Sequence, residues 1–146
     1  MDDSKRKYLE IIIYVSIFFI ALFCSQHMNV VVSKSMEPVL HRGDVVIIEK
    51  TNFMGINEIN TNDIKVGDIV IYNATWFTDG PVIHRVIASG IDKNGLKYYI
   101  IKGDNNPAPD PAVVYPAQII AKAVKIGDRL LIIPQIGHIT LKIRGI

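Results

Sequence analysis

The sequence has a single cysteine, Cys24, so no disulfide can close within the chain and no multi-cysteine metal cage can form. Charge of either sign is scarce in excess: 16 Lys and Arg stand against 14 Asp and Glu, a net +2. These charges are dispersed, without the clustered basic face that nucleic-acid binding requires. The four histidines, His27, His41, His84 and His138, form no i, i+4 pair and no HExxH motif, which argues against a zinc hydrolase. A GxSxG elbow and a phosphate-cradling glycine loop are both missing, as they would not be in an α/β-hydrolase or a P-loop protein. Internal repeats and low-complexity tracts are absent, and no metal or cofactor is implied.

What is present is apolar. Hydrophobic residues make up 49% of the 146, too many for disorder and high for a wholly soluble domain. They concentrate in residues 11–24 (IIIYVSIFFIALFC), where Ser16 is the one polar residue. With residues 8–10 the run reaches the lower limit for crossing a hydrocarbon core of ~30 Å. A cleavable secretory signal is the rival reading. Against it, Phe23 precedes Cys24, and Gln26 and His27 follow Ser25, so the exit lacks a small-x-small site. A retained anchor over residues 8–27 is therefore expected. Lys5, Arg6 and Lys7 precede it, and only Lys34 and Arg42 follow closely, which puts residues 1–7 in the cytoplasm by the positive-inside rule. Residues 28–146 are then one extracytoplasmic domain.

That domain reads as mainly β. Residues 29–33 (NVVVS), 44–50 (DVVIIEK), 68–73 (DIVIYN), 81–89 (PVIHRVIAS), 96–102 (LKYYIIK) and 117–125 (AQIIAKAVK) are short, β-branched or aromatic, and mostly bounded by Gly, Asn, Asp or Pro. Residues 51–62 (TNFMGINEINTN) are polar and rich in turn formers, hence a long connection. The last stretch, 132–146, is apolar but carries Pro134, Gly137, His138, Lys142 and Arg144, so it is not a second membrane span.

Six blocks then appear in order: SKSMEP at 33–38, HRGDVVIIEK at 41–50, VGDIVIY at 66–72, PVIHRVI at 81–87, KGDNNPAPD at 102–110 and IIPQIGHI at 132–139. Together they resemble the membrane-bound type I signal peptidases, specifically the archaeal and endoplasmic-reticulum branch. The resemblance implies a signal-peptidase-like β-sheet catalytic domain behind one transmembrane helix. It makes Ser35, directly before Met36, the nucleophile, and His84 the general base where the bacterial branch has lysine. Asp110, six residues after the aspartate of the GDNN stretch, becomes the residue orienting the base. Asp104 has a supporting role, and Ser33 corresponds to the family's side-chain donor to the oxyanion. The end of the chain departs from relatives that carry a second anchor.

The chemistry agrees with these residue types. A serine hydroxyl is a weak nucleophile near neutrality and needs an adjacent base held by a third group, and histidine suits proton transfer there. Taken alone, Ser35 reads as a turn residue, His84 as a structural histidine in an alternating strand, and the two aspartates as turn formers. If a lysine served as base instead, Lys97 and Lys102 are the candidates. His27, His41, His138, Cys24 and Trp76 receive no role. The implied activity is endoproteolytic removal of N-terminal signal peptides after small residues, from extended preprotein segments docking near Ser33 and residues 81–83. Secretory preproteins, membrane lipid and the protein-translocation machinery are the expected partners, and nucleic acid is not. The alternatives are an anchored serine peptidase with other substrates and a non-catalytic anchored β-domain.

Overall fold

In the computed structural model, which describes residues 2–145, the N-terminal apolar run is helix α1 (Asp3–Gln26). Residues 1 and 146, the outer ends of the expected tail and domain, lie outside the described residues. The helix starts ahead of the apolar run, where Arg6 pairs one turn on with Glu10 at 3.2 Å. Its 24 residues extend about 36 Å at the α-helical rise, more than a hydrocarbon core of ~30 Å. No α1 residue is buried, and isoleucines and phenylalanines stand exposed all round it. Among the described residues it is the one helix long and apolar enough to cross a membrane.

Among the described residues nine strands follow: β1 (Met28–Val30), β2 (Val45–Lys50), β3 (Ile69–Tyr72), β4 (Val82–Ile91), β5 (Lys97–Lys102), β6 (Ile119–Ala123), β7 (Lys125–Ile126), β8 (Arg129–Leu130) and β9 (Ile132–Ile133), with α2 (His138–Arg144) after them. The main sheet is antiparallel in the order β1-β2-β6-β3-β4-β5, and β9 joins the first half of β2. The signal-peptidase-like, mainly β architecture expected from the sequence is what forms. Central β3 is buried along its whole length, the reason its sequence IVIY is continuously apolar rather than alternating. Ile69 and Ile71 enter a cluster with Met36, Leu40, Val46 and Ile48. Val70 and Tyr72, on the opposite face, pack with Val82, Val86, Tyr99 and Ile101.

Some boundaries differ from the sequence expectation. The first strand stops at Val30, because the chain beyond Val31 turns away to form the Ser35 loop; Val31 itself still exchanges bonds with Asp44 and Gly43. The single strand expected over 117–125 is a 3₁₀ turn (Pro116–Gln118), β6 and β7. It breaks at Val124, whose N–H goes to Ile47 and whose carbonyl accepts from Leu131. The β7–β8 hairpin turns at Gly127, where φ is +61°, a value that favours glycine. The connection over 51–62 is interrupted by a Phe53–Ile56 bridge, and Ile59 dips into the core. The apolar end of the chain becomes β9 and a helix of 7 residues, too short to span a bilayer.

Candidate active site

Ser35 lies in a tight loop after β1. The Glu37 N–H bonds the Lys34 carbonyl, and Val39 and Leu40 N–H groups both bond the Met36 carbonyl. Met36 and Leu40 are fully buried, so apolar anchors hold the loop down while Ser35 beside them stays accessible. The loop is also gripped from the far end of the sheet. Asn105 donates its N–H to the Ser35 carbonyl at 2.8 Å and its side-chain amide to the Lys34 carbonyl at 3.2 Å. This approach depends on Gly103: a Cβ there would stand 2.7 Å from the Ser35 carbonyl oxygen and 2.9 Å from His84 Nε2.

His84 arrives from β4, where Val82, His84 and Val86 are buried and the residues between them are only partly so. The histidine replaces an apolar residue on the inward face, directly across from Val70. Its Nε2 is 2.9 Å from Ser35 Oγ. Its Nδ1 lies 2.8 and 3.0 Å from the two Asp110 oxygens. Asp110 comes from the loop after β5 and is tied by its N–H to the Ile101 carbonyl at 2.8 Å. The two side chains retain 5% and 2% exposure, and a carboxylate this buried needs donors to replace water. It has two: the imidazole Nδ1–H and the Tyr72 hydroxyl at 2.6 Å. Burial first, and then the hydrogen bond to Asp110, push the Tyr72 phenol well above its ordinary pKa, so it remains an O–H donor.

With Nδ1–H committed to Asp110, the Nε2 lone pair faces the Ser35 hydroxyl and can accept its proton. Ser33 Oγ lies 3.0 Å from Ser35 Oγ. Once Ser35 donates to His84, the hydrogen in that second contact comes from Ser33. Ser33 thereby holds a donor beside the atom that would attack a carbonyl. The Ser35 backbone N–H has no protein partner among the described residues.

Asp104 does not reach His84. It forms a two-pronged pair with Arg85, at 2.8 and 2.7 Å, which holds the guanidinium above its ordinary pKa against the opposing effect of burial. Arg85 also donates to the Gly67 carbonyl, so the pair braces the strand one residue beyond His84. Of the alternative bases, the Lys97 ammonium donates to the Asn62 carbonyl, and Lys102 is the β5 partner of Arg85, on the face of the sheet opposite His84. His27 bonds Phe23 and Glu58, His41 is exposed near Asp44, and His138 lies against Gly43. Tyr72, Arg85 and Asn105 are functional neighbours to which the sequence motifs assign no role. Tyr72 carries a usable signal, since a phenol closing the otherwise apolar run IVIY finds a hydrogen-bond partner when it is buried.

Beside Ser35 opens a cavity of about 270 Å³, lined chiefly by apolar side chains of Val32, Trp76, Phe77, Pro81, Val82 and Ile83. The β4–β5 ladder begins at Arg85–Lys102, so residues 82–84 are unpaired on the edge facing it while their other edge is held by β3.

A family description, Signal peptidase, peptidase S26, matches residues 5–113. The chain belongs to the S26 signal peptidases. Within that family it falls in the archaeal and endoplasmic-reticulum branch. It is 33% identical, over 79% of its length, to an uncharacterized protein of Methanocaldococcus jannaschii, covering 82% of that protein. It is 33% identical to the signal peptidase complex catalytic subunit SEC11 of Eremothecium gossypii, and 34% identical to the subunit SEC11C of Homo sapiens, each over 77% of this chain. This S26 chain spans 62% and 54% of those two subunits.

Proposed function

We propose that this S26 chain is a membrane-anchored serine endopeptidase that removes N-terminal signal peptides from secretory preproteins. The reading is carried by the continuous contact chain Ser35 Oγ–His84 Nε2 and His84 Nδ1–Asp110. In it, Ser35 Oγ attacks the scissile carbonyl carbon as its proton passes to His84 Nε2. Asp110 holds the ring and balances the imidazolium. The oxyanion takes hydrogen bonds from the Ser35 N–H and the Ser33 hydroxyl. His84 then gives the proton to the leaving amine, the C–N bond breaks, and an ester on Ser35 remains. A water molecule, deprotonated by the same imidazole, hydrolyses that ester and restores the hydroxyl.

Substrate binding is by strand addition to the free edge of residues 82–84. Alternate side chains of an extended segment fall on one side, toward the apolar cavity beside Ser35, and small residues precede the cut. Helix α1 is the anchor: its apolar surface has no protein cover, and Ser35 follows Gln26 by only nine residues. The N-terminus is cytoplasmic, and the sheet domain lies across the cell or endoplasmic-reticulum membrane, where preproteins leave the translocation machinery. Full-length protein in detergent is to be incubated with a labelled preprotein and the new N-terminus sequenced. Cleavage after an A-x-A-type site, absent in Ser35→Ala, supports the reading. Cleavage elsewhere makes it a peptidase of other substrates, and no Ser35-dependent cleavage overturns it.

A further inference from the structure

A fourth residue joins the contact chain at its buried end. Tyr72 and Val70 share a face of β3, across from Val82 and His84 on β4. The phenol and the imidazole are therefore diagonal neighbours on one side of the sheet, and Asp110 enters from the loop after β5 to meet both. The Tyr72 hydroxyl donates to Asp110 Oδ2 at 2.6 Å, the same oxygen that lies 2.8 Å from His84 Nδ1. Tyr72 has no solvent exposure, and its ring is locked among Val70, Val82, Val86 and Tyr99.

A buried tyrosine hydroxyl commonly finds some acceptor, and that alone would make Tyr72 a core residue. What separates this case is the acceptor. The carboxylate retains 2% exposure, and its contacts to His84 are spread over both oxygens, at 2.8 and 3.0 Å. A carboxylate shared in that way can turn about its Cβ–Cγ bond, and the Nδ1–H contact does not fix the rotation. The second donor does. It also draws charge from Oδ2 that would otherwise strengthen the bond to His84.

We propose that Tyr72 is a positioning residue for the Ser35–His84–Asp110 chain, fixing the rotation of the Asp110 carboxylate and moderating its hydrogen bond to the imidazole. This rests on the assignment of Ser35, His84 and Asp110 made above. Tyr72 is absent from the lining of the cavity beside Ser35, so its contribution belongs to the chemical step and not to substrate binding.

The test is Tyr72→Phe in the full chain, which removes one oxygen and keeps the packed ring. Proton NMR of the folded protein in detergent micelles reads the His84 Nδ1–H resonance, identified by its loss in His84→Gln. Freed from the competing phenol, Asp110 accepts more strongly, and that resonance is expected to move downfield in Tyr72→Phe. In cleavage assays at matched folded protein, kcat is expected to fall about tenfold, the scale of one lost hydrogen bond to a charged group, with KM changed less than about twofold. Tyr72→Leu, which lacks both the ring and the hydroxyl, controls for packing: its loss of stability should exceed that of Tyr72→Phe. An unmoved resonance together with parental kcat in Tyr72→Phe overturns the proposal. Should the resonance move while neither parent nor variant cleaves preprotein, the peptidase reading fails and the contact to Asp110 stands.

Discussion

Two histidine–carboxylate pairs of nearly equal length sit in this chain. His84–Asp110 is 2.8 Å, and His27–Glu58, where α1 meets the sheet, is 2.6 Å. They differ at the second ring nitrogen. His84 presents it to the Ser35 hydroxyl, which can donate, so a neutral ring with a free lone pair satisfies every partner. His27 presents it to the Phe23 carbonyl, which only accepts. Both His27 nitrogens must then donate, and a ring with two N–H groups has no lone pair to offer as a base. Burial differs in the same direction: 5% and 2% side-chain exposure for the first pair, 13% and 21% for the second. A histidine beside a carboxylate thus keeps a lone pair to act as base when its far nitrogen meets a donor, and loses it when that nitrogen meets an acceptor. Elsewhere the same pair is a clasp, here between the helix end and the connection after β2.

Removing the group that makes the difference should have the largest effect. Ser35→Ala is expected to abolish preprotein cleavage, a loss of several orders of magnitude, with membrane insertion and the unfolding midpoint unchanged; residual turnover near the parental rate would break the comparison. Next comes Asp110→Asn, which loses both the charge and control of the tautomer, at a cost of up to ~10⁴ in kcat. Its partner variant sharpens the point. Asp104→Asn removes the charge opposite Arg85 and should leave measurable turnover, impaired through the geometry of the loop. Assays at matched folded protein decide between them, and the reverse ranking would exchange the two roles. Ser33→Ala, which deletes one of the oxyanion donors proposed above, should cost on the order of 10² to 10³ in kcat, clearly less than Ser35→Ala.

The smallest effect on cleavage belongs to the other pair. The Glu58 carboxyl is held below its ordinary pKa, first by the Lys50 N–H and then, against the cost of burial, by His27. A carboxyl lowered on folding stabilises the fold above its unfolded pKa, and that contribution is lost as pH falls through the lowered value. Thermal unfolding of Glu58→Gln should therefore differ from the parent near neutrality and converge with it in acid. Its kcat at neutral pH should change less than about twofold, and a large loss would mean that the clasp also serves the site.

The local chemistry of this chain is written in its sequence. The apolar run of α1 has no polar face with which to join a soluble core, and the β-branched runs read as strands. The ordered blocks also named the residue types of the site. Three-dimensional placement is another matter, because Ser35, His84 and Asp110 are separated by 49 and 26 residues, beyond the reach of any local pattern. Antiparallel pairing of β3 with β4 sets His84 and Tyr72 on one face, and a slip of one residue between the two strands would have put them on opposite faces. The close approach of Gly103 to Ser35 and His84 is likewise a property of how β5 ends against the serine loop. The placement of Asp104 and Asp110 follows from how the chain continues past the Arg85–Lys102 end of the β4–β5 ladder. Asp104 lies between Gly103 and Asn105 and Asp110 between two prolines, and the fold brings Asp110 to the imidazole and Asp104 to the guanidinium of Arg85.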